Sequence, residues 1–122
     1  MTGPYGSTVL EHFRRPRNQR SLEKPTAAHE GFNRHCGDRV RIELEVEGAT
    51  IKSAAFTANA CALCTASASL LTERVRGHST EEAVAISDDE AVGALGEDVP
   101  AARRACVTLP WETLRRALTG GS

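Results

Sequence analysis

The stretch His35-Cys36-Gly37-Asp38-Arg39-Val40-Arg41-Ile42-Glu43-Leu44-Glu45-Val46-Glu47-Gly48 decides how this chain folds. Val40, Ile42, Leu44 and Val46 alternate with Arg41, Glu43, Glu45 and Glu47. This period of two predicts a strand with one face on a core and the other in water. Glu47-Gly48 supplies a turn, and Thr50 to Ala58 reads as the returning strand through Ile51, Ala54 and Phe56. An antiparallel hairpin brings its two ends together. Cys36, just before the hairpin, and Cys61, just after it, therefore become neighbours although they are 25 residues apart.

Beyond the hairpin, Leu63, Ala66, Ser67, Leu70, Leu71 and Val75 form a helical stripe over 63–76 whose small residues permit close packing on the sheet, with Gly77 as its C-terminal cap. Cys61 falls at or just before the first turn of this helix, where unpaired N–H groups and the dipole favour a thiolate. Upstream, Tyr5, Val9, Leu10 and Phe13 predict a short amphipathic helix over 5–13 that Pro16 ends. Arg17 to Phe32 lacks periodicity and reads as a surface loop. Downstream, Ser79 or Thr80 with Glu82 marks a helix start, a second short helix follows Asp88, and a last one runs from near Pro100 to about Leu118. Pro110 has no N–H to offer the carbonyl of Cys106, which predicts a kink or break there.

At 122 residues, 40% hydrophobic and 25% charged, the chain has material for one modest core. A single domain over 1–122 with short flexible ends at 1–4 and 119–122 is expected. The longest uncharged apolar stretch, 54–71, is studded with Thr, Ser, Asn and Cys, and the start lacks a cationic head followed by an apolar run. Neither a membrane span nor a secretory leader is expected. Four cysteines in such a chain point to a reducing compartment, hence the cytoplasm. Seven acids lie between Glu81 and Asp98, and arginines cluster near both ends. These are either solvated helix faces or a docking surface for a charged partner protein. One Tyr, one Trp and three Phe leave few stacking platforms, which argues against nucleic acid.

Cys106 follows Cys61 by 45 residues, so the three sulfurs of Cys36, Cys61 and Cys106 come from three different elements, unlike a sequence-local zinc knuckle. A turn at Gly37 could aim the Asp38 carboxylate at the ion held by Cys36. Three thiolates with one carboxylate or imidazole make a shell for zinc or an iron-sulfur cluster. The competing reading is buried free thiols. Cys64 forms C-x-x-C with Cys61 and is a small core residue, a redox partner or a substitute ligand. His35 offers an imidazole beside Cys36, although neighbouring residues of an extended segment face opposite ways. Arg103, three residues before Cys106, either lowers the thiol pKa values or pairs with Asp38, or is an ordinary exposed arginine.

Taken together, Tyr5, Val9, His12, Pro16-Arg17-Asn18, Ser21-Leu22, Cys36-Gly37-Asp38, the run from Phe56 through Cys61 to Ala66-Ser67-Ala68-Ser69, and Cys106 resemble the U-type iron-sulfur scaffold family. That family includes IscU, SufU and the N-terminal domain of NifU, and the likeness extends from about Tyr5 to Leu118. It implies an α+β fold, with a small antiparallel sheet of about three strands and helices packed mainly on one face. It also implies a carrier without turnover of its own. Persulfide sulfur from a cysteine desulfurase and iron would be assembled into a [2Fe-2S] cluster and passed to apo-proteins or carrier proteins. Carried over by position, Cys36, Cys61 and Cys106 would be the thiolate ligands, Asp38 the labile fourth group and Cys106 the persulfide acceptor, with Zn2+ bound in the resting or purified form. The alternative within the resemblance is a zinc-bound SufU-like sulfurtransferase that activates a desulfurase, and Cys64 could serve either scheme as a persulfide relay.

The chain departs from the family at several positions. Ala105 stands where IscU members have a histidine before the third cysteine. Arg103 and Cys106-Val107-Thr108-Leu109-Pro110-Trp111 are similar to SufU, yet the insertion expected of SufU before the last helix is missing. Val99-Pro100-Ala101-Ala102-Arg103 keeps little of the IscU chaperone motif, so handoff through an Hsp70-type chaperone is not expected. Ala58-Asn59-Ala60 replaces the flexible glycines that often precede the second cysteine, which stiffens that segment.

Overall fold

In a computed structural model, described over residues 6–120, the chain runs as α1 (Ser7–Arg14), β1 (Ala27–Asn33), β2 (Asp38–Glu47), β3 (Thr50–Asn59), α2 (Ala62–Val75), α3 (Thr80–Val84), α4 (Asp88–Gly93), a 3-10 turn (Ala101–Arg103) and α5 (Arg104–Thr119). Tyr5 and the expected flexible stretches 1–4 and 121–122 lie outside the described residues. Helix α5 ends at Thr119, and Gly120 donates its N–H to the Arg116 carbonyl.

The strands form an antiparallel sheet in the order β1-β2-β3. The β2–β3 hairpin turns at Gly48-Ala49, with Ile42 opposite Phe56 and Leu44 opposite Ala54. Val40, Ile42, Leu44, Ala54 and Phe56 are fully buried on the face covered by α2 and α5. The water-facing half of the alternation fails at Glu43, which is only 8% exposed. Its carboxylate accepts from Arg41 Nε (2.8 Å) and the Leu22 N–H (2.7 Å), because residues 17–26 cross that side of the sheet. The Arg41 hydrogen bond outweighs burial and, with the Leu22 N–H, holds Glu43 below the usual carboxylate range.

The expected loop over 17–32 contains a strand. Ala27–Asn33 pairs with Asp38–Leu44, and Gly31 sits opposite Val40. No apolar alternation marks this strand, because its stability comes from the β2 edge and from α5 packed over it. Gly31 permits that approach: a Cβ there would collide with Thr113 Oγ1 and press on Leu109. Pro16-Arg17-Asn18 ties the preceding segment down. The Asn18 carbonyl accepts from the Phe56 N–H (2.9 Å), and its Nδ2 donates to Thr72 Oγ1 (3.1 Å).

Helix α2 is buried around most of its circumference, from Leu63 to Ser69 and again at Leu71, Thr72 and Val75, so it is a central element rather than a one-sided stripe. Its buried hydroxyls have partners. Ser67 Oγ donates to the Val107 carbonyl (2.6 Å) and accepts from Trp111 Nε1 (3.2 Å). Ser69 Oγ lies 2.7 Å from His12 Nδ1 and accepts from the Arg17 N–H (2.8 Å). The expected Gly77 cap does not close the helix, since its N–H goes to the Ile51 carbonyl of β3 (2.8 Å). Two capping boxes, Ser79 with Glu82 and Ser87 with Glu90, start α3 and α4. Helix α5 runs through Pro110 without the expected break at Cys106. Burial of Val107, Leu109, Trp111 and Leu114 against the sheet and α2 offsets the one lost backbone bond. Among the described residues no helix is long and apolar enough to cross a membrane.

Candidate metal centre

The β1–β2 connection is a tight turn in which Gly37 adopts a φ of +76°, a conformation that glycine enters without steric cost, and donates its N–H to the Asn33 carbonyl (2.8 Å). This turn exposes Cys36 and puts Asp38, 4% exposed, at the first position of β2. The chain leaves β3 and enters α2 through Cys61, which is the N-cap residue of that helix. Cys106 lies in the first turn of α5, 3% exposed.

These elements converge. The ligating atoms of Cys36, Asp38 and Cys106 all lie within 4.8 Å of one another, and Cys36 Sγ is 3.7 Å from Cys106 Sγ. Cys61 adjoins this trio through the carboxylate. Its N–H donates to Asp38 Oδ1 (2.9 Å) and its thiol to Asp38 Oδ2 (3.4 Å). Burial by itself raises the Asp38 pKa, but hydrogen bonds from the Cys36 thiol, the Cys61 N–H and thiol and the Cys106 thiol bring it below the ordinary value. Burial and then the neighbouring Cys61 and Cys36 push the Cys106 thiol up to about 12. Cys64 moves upward too, mainly by burial.

His35 and Cys64 stand outside the trio. His35 is exposed on the turn, with its N–H on Asn33 Oδ1 (2.9 Å), and lines a groove of about 340 Å3 with Phe32, Asn33 and Ala105. Cys64 is fully buried in the first turn of α2. Arg103 is half-buried at the start of α5. One feature beside the centre escapes a sequence reading that makes this segment a loop. Phe32 is 50% exposed, with the Arg39 guanidinium 5.3 Å from its ring centroid. Only the β1–β2 register pairs the two residues.

A small α+β domain that gathers cysteines from a turn, a helix cap and a helix first turn around one buried carboxylate offers a donor set of the type that suits a soft metal. Residues 4–120 match the NifU-like N-terminal domain, and the chain belongs to that family. It is 36% identical to the bifunctional protein NifU/MnmA of Rubrobacter xylanophilus over 93% of this chain but only 23% of that protein. It is 33% identical to the iron-sulfur cluster assembly scaffold protein IscU 1 of Archaeoglobus fulgidus, covering 93% of this chain and 74% of that one. With the zinc-dependent sulfurtransferase SufU of Bacillus subtilis it shares 28% identity over 93% of this chain and 88% of that one. In fold it is similar to a candidate SUF-system scaffold protein from Fervidobacterium islandicum, with a TM-score of 0.79, 22% identity, and coverage of 93% and 96% of the two chains. The α+β architecture expected from the resemblance is the one observed.

Proposed function

We propose that this protein is an iron-sulfur cluster assembly scaffold without turnover of its own. Cys106 takes persulfide sulfur from a cysteine desulfurase, and Cys36, Asp38, Cys61 and Cys106 hold a [2Fe-2S] cluster destined for apo-proteins or carrier proteins. The observation that carries this reading is the convergence of the Cys36, Asp38 and Cys106 donor atoms within 4.8 Å, with Cys61 on the same carboxylate. The donor set also fits zinc. Two sulfurs bonded to one tetrahedral ion at about 2.3 Å stand roughly 3.8 Å apart, and Cys36 and Cys106 are 3.7 Å apart. Anaerobic incubation with ferrous iron, cysteine and a desulfurase should give a coloured cluster that Cys36→Ser loses. Absence of any chromophore in the native protein contradicts the scaffold.

A second reading, a zinc-bound sulfurtransferase that activates its desulfurase, is favoured by one departure. Ala105 offers no imidazole beside Cys106, and among the described residues Asp38 is the oxygen donor grouped with Cys36 and Cys106. Tight stoichiometric zinc with faster desulfurase turnover and no cluster supports this reading over the first. Under either scheme the thiols must lose protons to bind metal, and burial holds the Cys106 thiol up at about 12. Zinc affinity should therefore fall steadily as pH drops, with protons released on binding. A flat profile in a chelator competition excludes thiolate ligation. The protein is assigned to the cytoplasm, its partners being the desulfurase and recipient apo-proteins.

A further inference from the structure

Cys64 is the one cysteine that the proposed ligand set leaves unused. It lies three residues after Cys61 in the first turn of α2, a turn closed by the Thr65 N–H on the Cys61 carbonyl (3.0 Å). Cys61 is half-buried and Cys64 fully buried, so sulfur reaches Cys64 only by way of a neighbouring thiol of the pocket. No hydrogen bond to the Cys64 sulfur occurs among the described residues. Cys64 and Cys106 belong to one buried core cluster, and Cys61 packs against that cluster. Residues three apart in a helical turn have Cβ atoms about 5–6 Å apart, not far beyond the roughly 3.5–4.5 Å of a disulfide. Cys61, an N-cap with extended backbone (φ −69°, ψ 171°), is free of the helical repeat that would hold the two apart.

We infer that Cys64 is a resolving thiol that reduces sulfane sulfur to sulfide inside this pocket. The inference deepens the scaffold reading and rests on it for the arrival of that sulfur. Sulfur accepted at Cys106 passes to Cys61 when the Cys61 thiolate takes the outer sulfur and Cys106 leaves as thiolate. Cys64 then attacks the inner sulfur of the Cys61 persulfide. The Cys61–Cys64 bond forms, the bond to the outer sulfur breaks, and that sulfur departs with the Cys64 proton as hydrogen sulfide. The outer sulfur gains two electrons and the two cysteine sulfurs give them up in becoming a disulfide, so the step needs no outside reductant. An external dithiol resets the pair. Cys36 and Cys106, 3.7 Å apart, are the competing pair. Their approach depends on a tertiary contact between a turn and a helix, whereas two residues of one backbone turn confine Cys61 with Cys64.

The test loads the purified full chain with inorganic polysulfide, desalts it without reductant, and follows evolved sulfide, intact mass and disulfide mapping. Wild type should release sulfide and lose two hydrogens through a Cys61–Cys64 disulfide. Cys64→Ala and Cys64→Ser should retain the added sulfur, release no sulfide and still bind zinc. A wild type that releases no sulfide, a mapped Cys36–Cys106 disulfide, or full sulfide release from folded Cys64 variants overturns the inference. Zinc and cluster loading of wild type are measured in parallel. Loss of those with sulfide release intact sinks the scaffold reading and leaves Cys64 chemistry standing.

Discussion

Helix α2 buries polar groups at its first turn and again at its middle, and the two places resolve the cost in opposite ways. In the middle, Ser67, Ser69 and Thr72 are matched to oxygen and nitrogen partners on α1, α5 and the segment after α1. These are ordinary hydrogen bonds of buried groups to oxygen and nitrogen partners. At the first turn, Asp38 and the thiols of Cys36, Cys61 and Cys106 are held largely by one another. Thiols are weak donors and weak acceptors. The middle of the helix is a finished network that specifies packing, while the first turn leaves soft, weakly bonded donors that the proposed metal would satisfy.

The largest effect that could break this contrast belongs to the thiol end. Cys106→Ser should weaken zinc binding by more than the roughly 100-fold seen when a ligand's hydrogen-bond partner is removed, while the metal-free protein unfolds at nearly the same denaturant midpoint. A chelator competition that gives wild-type affinity contradicts the division of labour. Next comes Ser69→Ala, which strips the part-buried Arg17 N–H and the buried His12 Nδ1 of their partner. It should cost about 1–3 kcal/mol in urea unfolding and leave zinc affinity unchanged; a parallel loss of zinc would join the two regions into one network. Ser79→Ala removes an exposed capping box at α3 and should cost about 1 kcal/mol, a reference against which the buried hydroxyls are judged.

The smallest effect is a pH dependence of the middle network. Burial first, and then Arg17, hold His12 below its ordinary 6.5 against the opposing pull of Glu73 and Glu11. The unfolded chain therefore binds the proton more readily than the native one. The stability His12 contributes is complete above 6.5 and declines as pH falls through that value toward its lower native pKa. Urea midpoints for wild type and His12→Gln between neutral pH and pH 5 test this, and parallel slopes remove His12 from the account. Glu43 acts at lower pH. With its carboxyl held below 4.5, its contribution is present above that value and is lost on further acidification.

The hairpin, the helix start at Ser79 or Thr80, the short helix near Asp88, the seat of Cys61 at a helix N-terminus and the proximity of Cys36 to the end of β3 were all determined by the sequence alone. Each rests on contacts between residues near in the chain or on one alternation pattern. Tertiary structure decided the rest. It made Ala27–Asn33 a strand, because an edge of β2 and the cover of α5 stabilise a segment with no pattern of its own. It buried Glu43 beneath residues 17–26, enclosed α2 on most sides and carried α5 unbroken past Pro110. It also brought Cys106 within 3.7 Å of Cys36 and left His35 outside the trio. A sequence can name the donors of such a centre, but which of them meet depends on packing between elements far apart in the chain, where no local propensity acts.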